Sequence, residues 1–302
     1  MRLGGPIFKQ GLSVKELVKW HQHLGFGAAY TKWIEDKTER EEYIAAFKEA
    51  DIVLAEYGAY CLNILESDLA VRQTKIDEIC DRLEKADQMG VRCCVMHGGS
   101  VEYGKPPMYW GTANPENMSQ KSFDQTIEIV QGIIDKVKPQ TTKLVLETES
   151  YLFPDSPQNY LDIIKAVDRK ELAVHLDPVN MTCTPRRYYF NNEFLQKCFD
   201  ILGPHIVSCH AKDFNMKPIY ATVQITETFI GDGVLDYQYY LKGINKLENP
   251  PTLMIEHLND SQLEQGLKFI FAEADKAGIV FEGSENRIEY KAEGGEYFAP
   301  HE

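Results

Sequence analysis

KLVLETESYLFPDSPQNYLDIIKAVDRKELAVHLD, Lys143 to Asp177, reads as strand, helix, strand. Leu144-Val145-Leu146 and Leu172 to Leu176 are short, mostly apolar runs, and the stretch between them is amphipathic from Pro157 to Val167. Two apolar runs joined by a helix form a parallel βαβ unit, whose strands are buried on both faces. The alternation extends in both directions along the chain. Further strands are expected at Leu3 to Phe8, Ala28 to Trp33, Tyr60 to Ile64, Val91 to His97, Ile206 to Ala211 and Thr252 to His257. Helices are expected at Ser13 to Leu24, Thr38 to Tyr57, Val71 to Met89, Ser119 to Val137, Asn191 to Leu202, Asp236 to Leu247 and Ser261 to Ala277. Eight such pairs in this length match a (β/α)8 TIM barrel, an α/β fold of about 250 residues. An open doubly wound sheet often carries a glycine-rich turn opening its first helix, whereas Gly4-Gly5-Pro6 lies inside the first strand. One domain is expected over residues 1–285, with residues 286–302 as a C-terminal tail or arm that could pack on a neighbour.

Composition narrows the function classes. The 302 residues are 43% hydrophobic and 26% charged, as in an ordinary globular chain, with a formal net charge of -14. That charge repels phosphate backbones and anionic membranes, so a small molecule is the expected partner, with no nucleic acid and no membrane. No apolar run approaches a membrane span, no signal-peptide pattern opens the chain, and a cytoplasmic location is expected. Seven cysteines, an odd number without metal-clip spacing, read as reduced structural thiols.

Loop lengths locate the working face. Helix-to-strand links are short, but the links after the fourth, sixth and seventh strands are long and would overhang the C-terminal mouth, where barrel enzymes keep their sites. Four successive strands each end in a side chain able to bind a metal: Glu147, Asp177, His210 and Glu256. Three carboxylates and an imidazole make a hard, mostly oxygen donor set. It suits one divalent ion, Mn²⁺ first, with Mg²⁺, Co²⁺ or Zn²⁺ as alternatives.

The segments LVLETES (Leu144 to Ser150), VHLDPVN (Val174 to Asn180), SCHAKD (Ser208 to Asp213), GDG (Gly231 to Gly233) and MIEH (Met254 to His257) resemble those of the xylose isomerase-like TIM barrels, within them the sugar phosphate isomerase/epimerase group. The resemblance covers roughly Met1 to Gly283. It implies a metal-dependent sugar isomerase or epimerase that removes a proton beside a carbonyl through a metal-stabilised enediolate. In that case Glu147 and Glu256 are the acid/base pair, as well as metal ligands alongside Asp177 and His210. Many members carry His three residues after the sixth-strand Asp, and here that residue is Asn180, which cannot carry a proton at neutral pH. This departure sets the chain apart from the ketose 3-epimerases.

Further candidates for substrate contact are His97 at the end of the fourth strand, Glu149 two residues beyond Glu147, Asn180, and Lys212 and Asp213 after His210. Arg186 could grip an anionic group, and Trp110 could stack on a sugar ring. His175 is expected to be a core or supporting residue, and His257 to turn away from Glu256. The alternatives are elimination from a keto-sugar, keto-inositol or 3-keto-glycoside, an apurinic endonuclease-like phosphodiesterase, and a non-catalytic sugar-binding barrel. A dimer or tetramer is expected.

Overall fold

The computed structural model describes residues 1–102 and 111–288. Eight parallel strands close into a barrel: β1 (Arg2–Gly5), β2 (Ala28–Thr31), β3 (Val53–Gly58), β4 (Cys93–His97), β5 (Lys143–Glu147), β6 (Leu172–Leu176), β7 (Ile206–Ala211) and β10 (Thr252–Ile255). Between β7 and β10 the chain forms an antiparallel hairpin of β8 (Asp213–Ile219) and β9 (Thr222–Thr228), in register from Asp213 opposite Thr228 to Ile219 opposite Thr222. The eight-unit expectation is met, and no described helix is long and apolar enough to cross a membrane.

Two compact units divide the chain, with boundaries inside β3 and β7. The first comprises Met1–Ala55, Cys183–Gln196 and Cys209–Glu302. Here β1 lies between β10 and β2, pairing Gly4 with both Met254 and Ala28. A Cβ on Gly4 would stand 2.6 Å from the Ala28 carbonyl oxygen and from Met254 Sδ, so this glycine permits the close approach of strands. Buried Ala28, Ala55 and Met254 pack together with Tyr30 against them. Helix Val14–Leu24 starts with a capping box, in which Ser13 and Glu16 satisfy each other's backbone amides, and ends at Gly25 with φ 75°. At the far end Arg287 donates to the His23 carbonyl at 3.0 Å and lies 5.6 Å from the Phe271 ring. The tail's residues 289–302 lie outside the described residues.

The second unit comprises Glu56–Thr182 and Lys197–Ser208. β4 pairs with β5 from Cys93 opposite Lys143 to His97 opposite Glu147, and β5 pairs with β6 through Leu144, Val145 and Leu146. Cys93, Val95, Val145 and Ala173 form a core cluster, covered by Tyr60 and Val207. Tyr160, from helix Pro157–Val167, accepts from the Leu146 amide at 2.9 Å and lies 3.0 Å from the Ala173 carbonyl oxygen, tying β5 to β6. Asp87 accepts from the amides of Gln140, Thr141 and Thr142 at 2.8–2.9 Å, which fixes the entry to β5.

The third strand is a correction. The helix expected to run to Tyr57 ends at Glu49, Asp51 takes a left-handed φ of 55°, and β3 occupies Val53–Gly58. The expected strand Tyr60 to Ile64 is instead a turn, pinned where Asn63 exchanges hydrogen bonds with the Ser100 backbone at 2.7 and 2.8 Å. Glu56 accounts for the error: a charged residue inside an apolar run reads as the polar face of a continuing helix, yet it is 1% exposed. The hairpin β8–β9 was also not expected, and the loop Pro178 to Phe190 contains two short helices, Pro178–Met181 and Pro185–Tyr189.

Candidate metal centre

In the second unit, β5 delivers Glu147 at its last residue, and Asp177 directly follows β6. Both are buried, at 4% and 0% exposure. Asp177 caps helix Pro178–Met181, its Oδ1 accepting from the Val179 and Asn180 amides at 2.9 and 3.0 Å. Its carboxylate is thereby fixed by the same turn that presents Asn180. Asn180 Nδ2 donates to Glu147 Oε1 at 3.3 Å, so the residue that departs from the resemblance steadies a candidate acid/base group. His97 ends β4 with its Nδ1 3.4 Å from Glu149 Oε1, which brings two candidate substrate contacts together. Backbone packing behind His97 is tight: a Cβ on Gly98 would lie 1.7 Å from the Phe153 carbonyl oxygen.

In the first unit, β7 carries His210 and β10 leads into Glu256. His210 Nδ1 is 3.1 Å, and Lys212 Nζ 2.5 Å, from Glu256 Oε2. Burial pushes the Glu256 carboxyl up, but the His210 and Lys212 charges outweigh it and hold the group well below the usual carboxylate range. Tyr240 and Tyr237 donate to the His210 and Lys212 carbonyls at 3.0 and 2.9 Å, setting the backbone that aims both side chains. Lys212, expected to touch substrate, is 2% exposed and is committed to Glu256.

Asp213, a candidate substrate contact, is 1% exposed and clamped by backbone amides. Its two carboxylate oxygens accept from the amides of Phe214, Gly231, Gly233 and Leu235 at 2.9–3.1 Å. Burial raises its pKa, opposed by those same hydrogen bonds. The clamp explains the GDG motif: Gly231 has φ 95°, and a Cβ on Gly233 would lie 1.9 Å from Asp213 Oδ1. His257 does not turn away as expected. With φ 55° it stays exposed at the strand end, its Nδ1 2.9 Å from the Glu227 carboxylate and its Nε2 3.7 Å from Glu256 Oε2. The Glu227 hydrogen bond raises its pKa.

Arg186 is exposed, its guanidinium 6.0 Å from the Phe190 ring, and Arg187 lies 4.9 Å from the Phe194 ring. Trp110 lies outside the described residues. Sequence reading missed Glu56 and Glu227. Glu56 was detectable as one carboxylate inside Ile52-Val-Leu-Ala-Glu-Tyr, and Glu227 as part of a period-two stretch from Thr222 to Thr228. Two groups among the described residues have a composition that could hold a metal ion: Glu147, Asp177, His210 and Glu256, and Glu56, His175 and His210.

Comparison with known proteins agrees with this architecture. Endonuclease IV from Thermus thermophilus superposes with TM-score 0.67 at 15% identity, over 91% of this chain and 100% of that one. D-psicose 3-epimerase from Clostridium cellulolyticum, solved with D-tagatose, gives 0.63 at 14% identity over 92% and 98%. The probable 3-DHS dehydratase AsbF of Bacillus anthracis gives 0.65 at 15% identity over 89% and 98%. At such identities the likeness shows the fold alone, and that fold hosts several chemistries. A search of curated proteins returned no match. The family model described as xylose isomerase-like TIM barrel matches residues 16–273, and the chain belongs to that family.

Proposed function

We propose that this chain is a divalent-metal-dependent sugar isomerase or epimerase that takes a proton from the carbon beside a substrate carbonyl. The observation that carries the reading is the quartet at four neighbouring strand ends. Glu147 and Asp177 stand at the ends of β5 and β6 in one unit, His210 and Glu256 at the ends of β7 and β10 in the other, and each offers an atom that could bind a metal ion. The donor set fits a hard cation: buried carboxylates are costly unless paired, hydrogen-bonded or bound to a metal. Mn²⁺ is the first choice, and Mg²⁺, Co²⁺ and Zn²⁺ suit the same donors. A bound divalent ion supplies Lewis-acid polarisation of the carbonyl and an adjacent hydroxyl.

The chain's own residues do the rest. Glu256, paired with Lys212 Nζ at 2.5 Å, is in the carboxylate form that accepts a proton. Glu147, oriented by Asn180, is the second proton-transferring group. Removal by one carboxylate and return by the other to the same carbon, on opposite faces of the substrate, inverts that carbon, whereas return to the neighbouring carbon, with the hydroxyl proton passed from one oxygen to the other, moves the carbonyl. A second reading, elimination from a keto-sugar or 3-keto-glycoside, draws on the His97–Glu149 pair, which could protonate a leaving group. The net charge of -14 speaks against a phosphodiester substrate.

The test is metal content of protein purified without chelator, beside Glu147→Gln and His210→Ala proteins, followed by incubation with a keto-sugar panel in heavy water. About one ion per chain, lost in the variants, with deuterium entering beside a carbonyl, is the expected result. An ion bound equally well by all three proteins refutes the quartet. Product mass separates the two readings, because isomers and epimers conserve it and elimination does not.

A further inference from the structure

Beneath the strand ends lies a second layer of polar side chains that the reaction above does not use. Glu56 on β3, His175 on β6 and Ser208 on β7 are 1%, 0% and 0% exposed. His175 Nε2 is 3.1 Å from Glu56 Oε1, and the Ser208 hydroxyl donates a short hydrogen bond to the same oxygen. A carboxylate can only accept, so Nε2 carries the proton in this pair. A carboxyl group this deeply buried is expensive unless it is hydrogen-bonded, and its position explains why it is there.

Side chains two apart on a strand point the same way, separated by about 6.6 Å of rise. His175 therefore stands directly below Asp177, and Ser208 directly below His210. One carboxylate oxygen of Glu56 grips both, and so fixes the two strands that deliver two of the four proposed ion ligands.

We infer that Glu56 is a positioning residue for the metal centre: through His175 and Ser208 it sets the placement of Asp177 and His210 and so tunes how tightly, and in what geometry, the ion is held. The inference rests on the proposed metal-dependent reading. Supports of this kind are worth about 10–100-fold in metal affinity. The group Glu56, His175 and His210 could itself be mistaken for an ion site, but it lacks the strand-end position that a substrate can reach.

The test uses the full chain, with Co²⁺ as the probe because its visible spectrum reports ligand geometry. Affinity, stoichiometry and spectrum are measured for wild type, Glu56→Gln, Glu56→Leu and Ser208→Ala, with circular dichroism confirming fold. Glu56→Gln keeps an acceptor for both donors and should stay within about 3-fold of wild type, whereas Glu56→Leu should weaken Co²⁺ about 10-fold or more and shift its spectrum. Ser208→Ala, which removes one donor and leaves Glu56 in place, should shift the spectrum with a smaller loss of affinity. It stands in for Glu56→Leu should that variant fail to fold. A folded Glu56→Leu or Ser208→Ala protein with wild-type affinity and spectrum overturns the inference. So do two ions per chain with one lost in Glu56→Gln, which would make Glu56 a ligand. Absence of Co²⁺ binding by the wild type would instead refute the metal-dependent function itself.

Discussion

Acid should unfold this protein in part through one buried histidine, His21, which is not among the candidate site residues. His21 lies in helix Val14–Leu24 at 2% exposure, its Nδ1 2.8 Å from the Leu17 carbonyl oxygen and its ring edge-on to Phe47 and Phe26 at 5.2 and 6.2 Å. Burial drives its pKa down from 6.5 to about 4, and the bond to Leu17 only partly opposes this. Protons therefore bind the unfolded chain more readily than the folded one between those values. The stability contributed by neutral His21 is complete above the unfolded pKa and is lost as pH falls through the window. Integrating the linkage from pH 7.5 to pH 4 gives about 3 kcal/mol, a large share of the roughly 5–15 kcal/mol that holds a typical domain together. The perturbation is His21→Asn, which keeps an N–H donor for Leu17 and cannot titrate. It should cost about 2 kcal/mol at neutral pH through lost packing, so the slopes with pH are the quantity to compare. Urea unfolding of both proteins at half-unit intervals should show the wild type losing about 3 kcal/mol more than the variant across this range. Carboxylates contribute equally to both curves and cancel. Parallel curves would mean that His21 is protonated without cost in the native state, and the reasoning from burial would be wrong.

Glu147→Gln and Glu256→Gln should each lower turnover by about 10²-fold or more on any substrate found, with KM changing less than kcat, as steady-state kinetics would show. Gly233→Ala forces a Cβ into a space 1.9 Å from Asp213 Oδ1, and thermal melts should reveal a loss of about 2–3 kcal/mol as the amide clamp opens; an unchanged midpoint would refute the clamp. Three backbone amides outweigh burial and hold the Asp87 pKa below its ordinary value. Its stabilisation is therefore present above the unfolded pKa of about 3.9 and lost as pH falls through the lower folded value. Asp87→Asn should remove about 1–2 kcal/mol at pH 7 and flatten the acid limb of the unfolding profile.

The barrel was legible because its signal is repetition. Seven of the eight expected strands overlap observed ones, and the caps that end their helices, Gly25 and Gly90 at φ 75° and 69°, are written in residue type. The strand-end residues were legible for a related reason: a strand that terminates in Glu, Asp or His after an apolar run leaves that side chain at the rim, whatever the surroundings. What hid from the sequence was every case where a charge is satisfied by a partner distant in the chain. Glu56 broke the apolar run of β3 and disguised it as helix, because nothing nearby announces His175 or Ser208, 119 and 152 residues away. Lys212 read as a substrate contact because a lysine beside His210 belongs on the surface unless a carboxylate 44 residues on, at Glu256, takes its charge. Asp213 shows the same limit from the other side, since its partners are backbone amides, which carry no residue signature beyond the glycines that make room for them. Local pattern fixes which segments become strands and which ends face the mouth, while the pairing of buried charges is decided only after the strands have met. The polar layers at and below the strand ends, where function is proposed, are thus the part of this fold least determined by local sequence, and the Glu56 series tests whether that buried pairing reaches the metal centre.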